Sequence, residues 1–283
     1  MQYIILAILS SSAISLILKF SESRGYNRNT VTTSNYVSAF TVSIILSLSS
    51  SGTVFISGLN EVLYLGLFTG VMYYLGFIFI QKSIKENGVG ITGAISKTGI
   101  ILPVILSMIF WKEIPSVLQG TGVVISLTAI FILNLDASDL KSFKGLKITL
   151  LLLFLISGTA EFTTKIFEKY FEMQYKPLYM SVIFFTAFLI SLTFTIRSVR
   201  HGNKISVKEI ATGLSAGIPN MAATYFLIES LKYYKASVAF PIYSSGTILI
   251  INLGGYFIFG EKLSKKDMTA VVMIIIAIVM MNM

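Results

Sequence analysis

Apolar residues fall in ten long runs separated by short polar gaps: about 2–19, 31–50, 61–81, 88–110, 114–134, 147–167, 177–197, 208–231, 235–259 and 266–283. Roughly 20 residues of helix cross a bilayer core. Backbone exposed to lipid must close its own hydrogen bonds. Each run therefore predicts a transmembrane α-helix, and no gap leaves room for a soluble domain. The polar, charged gap Leu135–Leu146 divides the ten spans into two sets of five. The first run lacks the basic flank of a secretory signal and is needed as a fifth span, so it is expected to be retained.

The second set repeats the first at an offset of 148 residues. Between Glu113–Asn134 and Glu261–Asn282, eight of 22 positions coincide without a gap: Glu113/Glu261, Ser116/Ser264, Thr121/Thr269, Val123/Val271, Val124/Val272, Ala129/Ala277, Ile130/Ile278 and Asn134/Asn282. Ile80/Ile228, Ser96/Ser244 and Ile100/Ile248 keep the same offset upstream. An odd number of spans per copy makes the second copy enter the membrane upside down. The expected fold is all-α and integral to the membrane, with ten transmembrane helices as two inverted five-helix repeats, 1–135 and 147–283. In that architecture a substrate site lies near mid-bilayer where the repeats meet.

Composition narrows the function classes. The chain is 54% apolar and 12% charged, against about 25% charged for a soluble domain. It has no cysteine and one histidine, which removes thiolate metal sites and makes a histidine-based metal or triad site a poor reading. The net charge is +9, but the basic residues sit in the gaps, where they suit anionic headgroups rather than nucleic acid. The gaps after spans 1, 3, 5, 7 and 9 hold 15 Lys/Arg and the opposite gaps five. The positive-inside rule then places both termini outside. There is no phosphate-binding Gly-rich loop, triad or dinucleotide fingerprint. The sequence predicts no enzyme and no cofactor, and its partners are the lipid bilayer and a small-molecule substrate, with the protein a monomer or homodimer.

Ionisable residues inside the membrane are the sharpest functional pointers, because burying one costs a few kcal/mol or more. Lys97 lies 11 residues after Glu86 and 15 before Lys112, about 16 and 22 Å from those polar ends at 1.5 Å per residue. Its repeat counterpart is Ser245. Lys97 either lines a substrate cavity or ties span 4 to a neighbour. Glu161 lies 14 residues after Lys147, with Lys165 at i+4, a favourable spacing for a helical pair. Glu161 is either neutralised by Lys165 or faces the cavity, where it binds an ammonium group, pairs with Lys97 or titrates as a proton-coupling residue. Tyr73, Tyr74, Asn220, Tyr243 and Ser245 fall near the centres of their spans, and Tyr225 lies one to two turns beyond Asn220. As a set they suit a polar, aromatic-walled cavity; singly, each also fits helix packing. Glu113 and Glu261 are read as acids at helix starts, Trp111 as an interface anchor, and Glu229 as lying near the headgroups.

The stretch Glu229-Ser-Leu-Lys-Tyr-Tyr-Lys-Ala-Ser-Val-Ala-Phe-Pro241, followed by Phe259-Gly-Glu-Lys-Leu-Ser264, resembles the EamA family of the drug/metabolite transporter superfamily. A weaker copy, Phe110-Trp-Lys-Glu-Ile-Pro-Ser116, occurs in the first half, with Lys112 where the second has Gly260. The resemblance spans the whole chain. It implies a secondary transporter with cytoplasmic termini, the reverse of the lysine count, and it says little about the substrate. Three readings remain. The first is a secondary active carrier of a small polar metabolite, best an amino acid or related zwitterion held by Lys97 and Glu161. The second is a carrier of organic cations or drugs of the choline or quaternary-amine kind, using tyrosine faces. The third is a membrane scaffold that transports nothing.

Overall fold

The computed structural model describes residues 1–50, 59–87, 89–134, 147–262 and 264–283. The repeat boundary read at 135–146 lies outside the described residues, as does Leu263 of the second junction motif. Among the described residues the chain is helical, in the order α1 (Gln2–Ser23), α2 (Arg28–Ser50), α3 (Leu59–Asn87), α4 (Val89–Thr98), α5 (Ile101–Trp111), α6 (Val117–Asn134), α7 (Ile148–Tyr170), α8 (Lys176–Arg200), α9 (Val207–Ser230), α10 (Ala236–Phe259) and α11 (Lys265–Asn282). These eleven helices make ten spans, because α4 and α5 are two halves of one. Eight spans are long and apolar enough to cross a membrane. The other two are α9, diluted by Ser, Gly, Pro, Asn and Thr, and α11, which opens on Lys265, Lys266 and Asp267. The protein is a multi-pass membrane protein. Its exposed Leu, Ile, Val and Phe side chains, such as Ile109, Phe110, Val272 and Ile276, need hydrocarbon as solvent.

The continuous helix expected over 88–110 is broken. The Gly99 N–H still bonds the Ile95 carbonyl at 3.2 Å, but the Leu102 N–H makes a tighter turn onto Gly99 at 3.0 Å, and regular bonding resumes with Val104 N–H onto Ile100. Pro103 is the cause, since it has no N–H to return to Gly99 four residues back.

The chain forms two compact units, and each draws on both halves of the sequence. The first comprises residues 1–74 and 166–229, the second 75–165 and 230–283. Within the first unit, α2 packs along α8. Buried hydroxyls line that contact, with Thr33 and Thr195 sharing a hydrogen bond of 2.8 Å. Gly213 and Gly217 of α9 lie so close to Val31 and Asn35 of α2 that added Cβ atoms would come within 2.4 Å of their carbonyls. Within the second unit, α6 packs along α11 and α5 against α10. Each of these pairs, α2–α8, α6–α11 and α5–α10, joins helices holding the same place in the two halves.

That pairing explains the repeat. Ala129, Ile130 and Ala277 are fully buried, and Ala129, Ile130, Ala270 and Ile274 share one apolar cluster to which Ile278 adds its side chain. When counterpart helices pack on each other, one surface must complement its own copy, so the same residue types recur on both sides.

Local details explain the junction motifs. Lys112 ends α5 in the left-handed conformation (φ 54°), as Gly260 ends α10 (φ 67°). The first half keeps the backbone turn that Gly makes easily while placing a lysine in it. Neither repeated glutamate starts its own helix. The α11 N-terminus is capped by Ser264, with Asp267 closing a capping box. Glu113 instead accepts the N–H of Ala236 at 2.6 Å and so caps α10.

Candidate functional site

Lys97 occupies the last turn of α4, where a cation complements the negative end of the helix dipole. Two residues on, Gly99 crosses α7: a Cβ there would lie 2.9 Å from Ser157 Cβ and 3.0 Å from the Gly158 nitrogen. Gly158 reciprocates, because its Cβ would sit 2.6 Å from the Gly99 oxygen and 2.7 Å from Leu102 Cβ. No larger residue fits at either position without parting the helices. Glu161 follows Gly158 by almost one turn of α7. The crossing lies two residues from Lys97 and three from Glu161, near enough for their opposite charges to influence each other.

The pair is open. Both residues are half-buried rather than sealed. Among the described residues, the Lys97 ammonium and the Glu161 carboxylate close no hydrogen bond or ion pair with each other or with a third group. Attraction without contact leaves the polar capacity of both groups available to a ligand.

The proposed neutralisation of Glu161 by Lys165 gives way to a different pairing. Lys165 is 2% exposed and bonds Glu113 at 2.7 Å, with its ammonium 5.8 Å from the centre of the Trp111 ring. Glu113 is thus fixed by both Lys165 and the Ala236 amide. Trp111 packs at a tilt against Phe162, with ring centres 5.6 Å apart; it helps enclose the pair instead of standing only as an interface anchor.

The eight candidate residues are divided between the units. Lys97, Glu161, Tyr243 and Ser245 belong to the second, and Tyr73, Tyr74, Asn220 and Tyr225 to the first. Tyr243 is half-buried on α10. Ser245 is fully buried and donates to the Pro241 carbonyl at 2.6 Å, so its hydroxyl serves its own helix. Tyr74 is only 3% exposed and packs on Phe194. These two residues sit in helix packing, not on an open wall. Tyr73 is half-buried, with its hydroxyl 3.4 Å from Thr224 and its ring edge-on to Phe184. Asn220 donates to the Asn35 side chain at 3.2 Å, one turn along α9 from Thr224. Tyr225 lies beneath the Lys176 ammonium, 3.3 Å from its ring centre.

Sequence reasoning missed the Lys176–Glu229 ion pair. Lys176 is 2% exposed and bonds Glu229, whose side chain is 12% exposed. Glu229 therefore lies inside the first unit, not among headgroups. The available signal was a lysine–glutamate pair at the ends of α8 and α9 with an aromatic residue one turn before the glutamate. Among the described residues no His, Cys, Asp and Glu group has the composition of a metal site.

The model of the EamA-like transporter family matches residues 1–135 and 147–283, the boundaries of the two halves read from the self-similarity. A solved crystal structure of another protein superposes with a TM-score of 0.75 over 100% of this chain and 97% of its own, at 14% identity. At that identity the likeness shows the fold alone. No curated relative matches the chain.

Proposed function

Since this chain belongs to the EamA-like transporter family, we propose that it is a secondary active transporter of a small polar organic metabolite, working by alternating access from a mid-bilayer site between its two repeats. The best substrate class is an amino acid or a related zwitterion. The open Lys97–Glu161 pair carries this reading: it offers two groups of opposite charge that influence each other, neither committed to a partner among the described residues. A substrate carboxylate would take Lys97 and its ammonium Glu161. Two charge-assisted contacts of this kind orient a small molecule as well as hold it. Tyr243, on the same unit, is proposed to contact the rest of the solute. Glu161 remains the candidate for proton coupling.

The organic-cation reading requires Lys97 to be silenced by a closed bond to Glu161, and the open pair speaks against that. The test is uptake of a labelled amino-acid mixture into proteoliposomes. Wild type should accumulate label, and Lys97→Ala and Glu161→Gln should each lose it at least about tenfold. Uptake of quaternary amines that both variants retain would reject the zwitterion reading.

A further inference from the structure

We infer that Lys97 and Glu161 act as each other's counter-ion whenever the site is empty, so that the unloaded carrier reorients on its own and the protein supports net one-way flux, not only exchange. This rests on the reading of that pair as the substrate site.

An unpaired charge is costly inside the membrane. A carrier that occludes its empty site around one unpaired charge meets a large barrier. Such a carrier reorients only when loaded with a compensating ion, and it is confined to exchange. Here the two charges sum to zero, and the Gly99–Gly158 crossing holds α4 and α7 together two residues from Lys97 and three from Glu161. The element whose movement would close the pair is α4, a ten-residue half-helix bounded by a backbone break at Thr98–Ile101. A zwitterion also sums to zero, so empty and loaded sites are electrostatically alike. The half-buried, uncontacted state of both side chains fits an ion pair poised to close, and it contrasts with Lys165–Glu113, which is already shut.

Single substitutions should therefore convert the mode of transport as well as the affinity. Glu161→Gln leaves a lone cation, which a carboxylate without an amine would balance. Lys97→Met leaves a lone anion, which an amine without a carboxylate would balance. Each should then move its ion only in exchange. The double variant Lys97→Met/Glu161→Gln has no charge to strand, so it should reorient freely while recognising neither ion.

The test needs no substrate. The chain contains no cysteine, so Ser96→Cys, half-buried beside Lys97, is a single reporter on the full-length protein. Its labelling by a membrane-impermeant thiol reagent is timed in right-side-out and inside-out vesicles. The expected result is labelling from both sides with the pair intact, at least about tenfold slower labelling from one side in Glu161→Gln, and recovery in the double variant. Recovery would show that the single variant is trapped, not misfolded. Glu161→Gln labelling equally from both sides, or a double variant as one-sided as the single, would overturn the inference. Because no substrate is present, that failure stands apart from a failure of the uptake experiment above.

Discussion

Lys97 and Lys165 are both lysines of the second compact unit, each close to a glutamate, yet their surroundings are opposite. Lys165 is sealed: its ammonium bonds Glu113 and lies over Trp111, and Glu113 is further tied to the Ala236 amide. Lys97 is half-buried and feels the charge of Glu161, and among the described residues it closes no hydrogen bond or ion pair. Lys176 with Glu229 and Tyr225 repeats the sealed pattern in the first unit. A buried charge whose capacity is used up by its own protein is part of the fold. One held near its opposite with capacity to spare is available to something else. The distinction lies in satisfaction, not in depth or residue type.

The comparison breaks most visibly at the sealed pairs. Removing one member of a buried pair strands the other, at a cost of about 3–5 kcal/mol. Lys165→Met and Lys176→Met should each lower the unfolding temperature of the purified protein sharply. The double change Lys165→Met/Glu113→Gln should recover part of the loss, though not the cap that Glu113 gives α10. An unchanged melting temperature in Lys165→Met would remove the distinction between sealed and open.

Next in size is the crossing that creates the open pair. Gly158→Val puts side-chain atoms where the Gly99 oxygen and Leu102 stand, and overpacking of this kind costs about 1–3 kcal/mol. Its effect on transport should exceed its effect on stability, because it parts Lys97 from Glu161. Transport that survives in this variant would detach the pair from function.

A smaller effect sharpens the sealed side. Tyr225→Phe keeps the ring under Lys176 and should be nearly silent, whereas Tyr225→Leu should cost about 1 kcal/mol, the worth of a cation–π contact at a partly buried site. The smallest change concerns the turn at the end of α5. Lys112→Gly relieves a left-handed non-glycine residue and should raise stability by up to about 1 kcal/mol, measured by the same melting assay. A fall would mean that the lysine side chain contributes more than its backbone strain costs.

The spans and the repeat were legible in the sequence, because long apolar runs and a constant offset are local patterns. Ala129, Ile130, Ala277 and Ile278 marked the repeat, and they lie where counterpart helices pack. The break at Thr98–Ile101 carried a signal in Pro103, but an apolar run hides it when length alone defines the helix. The sealed lysines were not legible. Lys165 and Lys176 flank the α7–α8 connection, near enough to span ends for a lysine to snorkel outward. What draws them inward is Glu113 and Glu229, distant in sequence. The rotation of Tyr74 and Ser245 into helix packing was not legible, since an all-apolar helix gives no 3.6-residue phase to read. The grouping of helices into units that cross the halves also depends on which counterparts meet, and sequence similarity does not specify that.

The central claim is that Lys97 and Glu161 together hold the substrate. Its most direct test is the thermal shift of detergent-purified protein against a panel of amino acids, amines, choline and sugars, with wild type beside Lys97→Ala and Glu161→Gln. The account predicts that an amino acid or related zwitterion stabilises wild type and neither variant, while the unliganded melting temperatures of all three stay close. A ligand that stabilises all three proteins equally would contradict it.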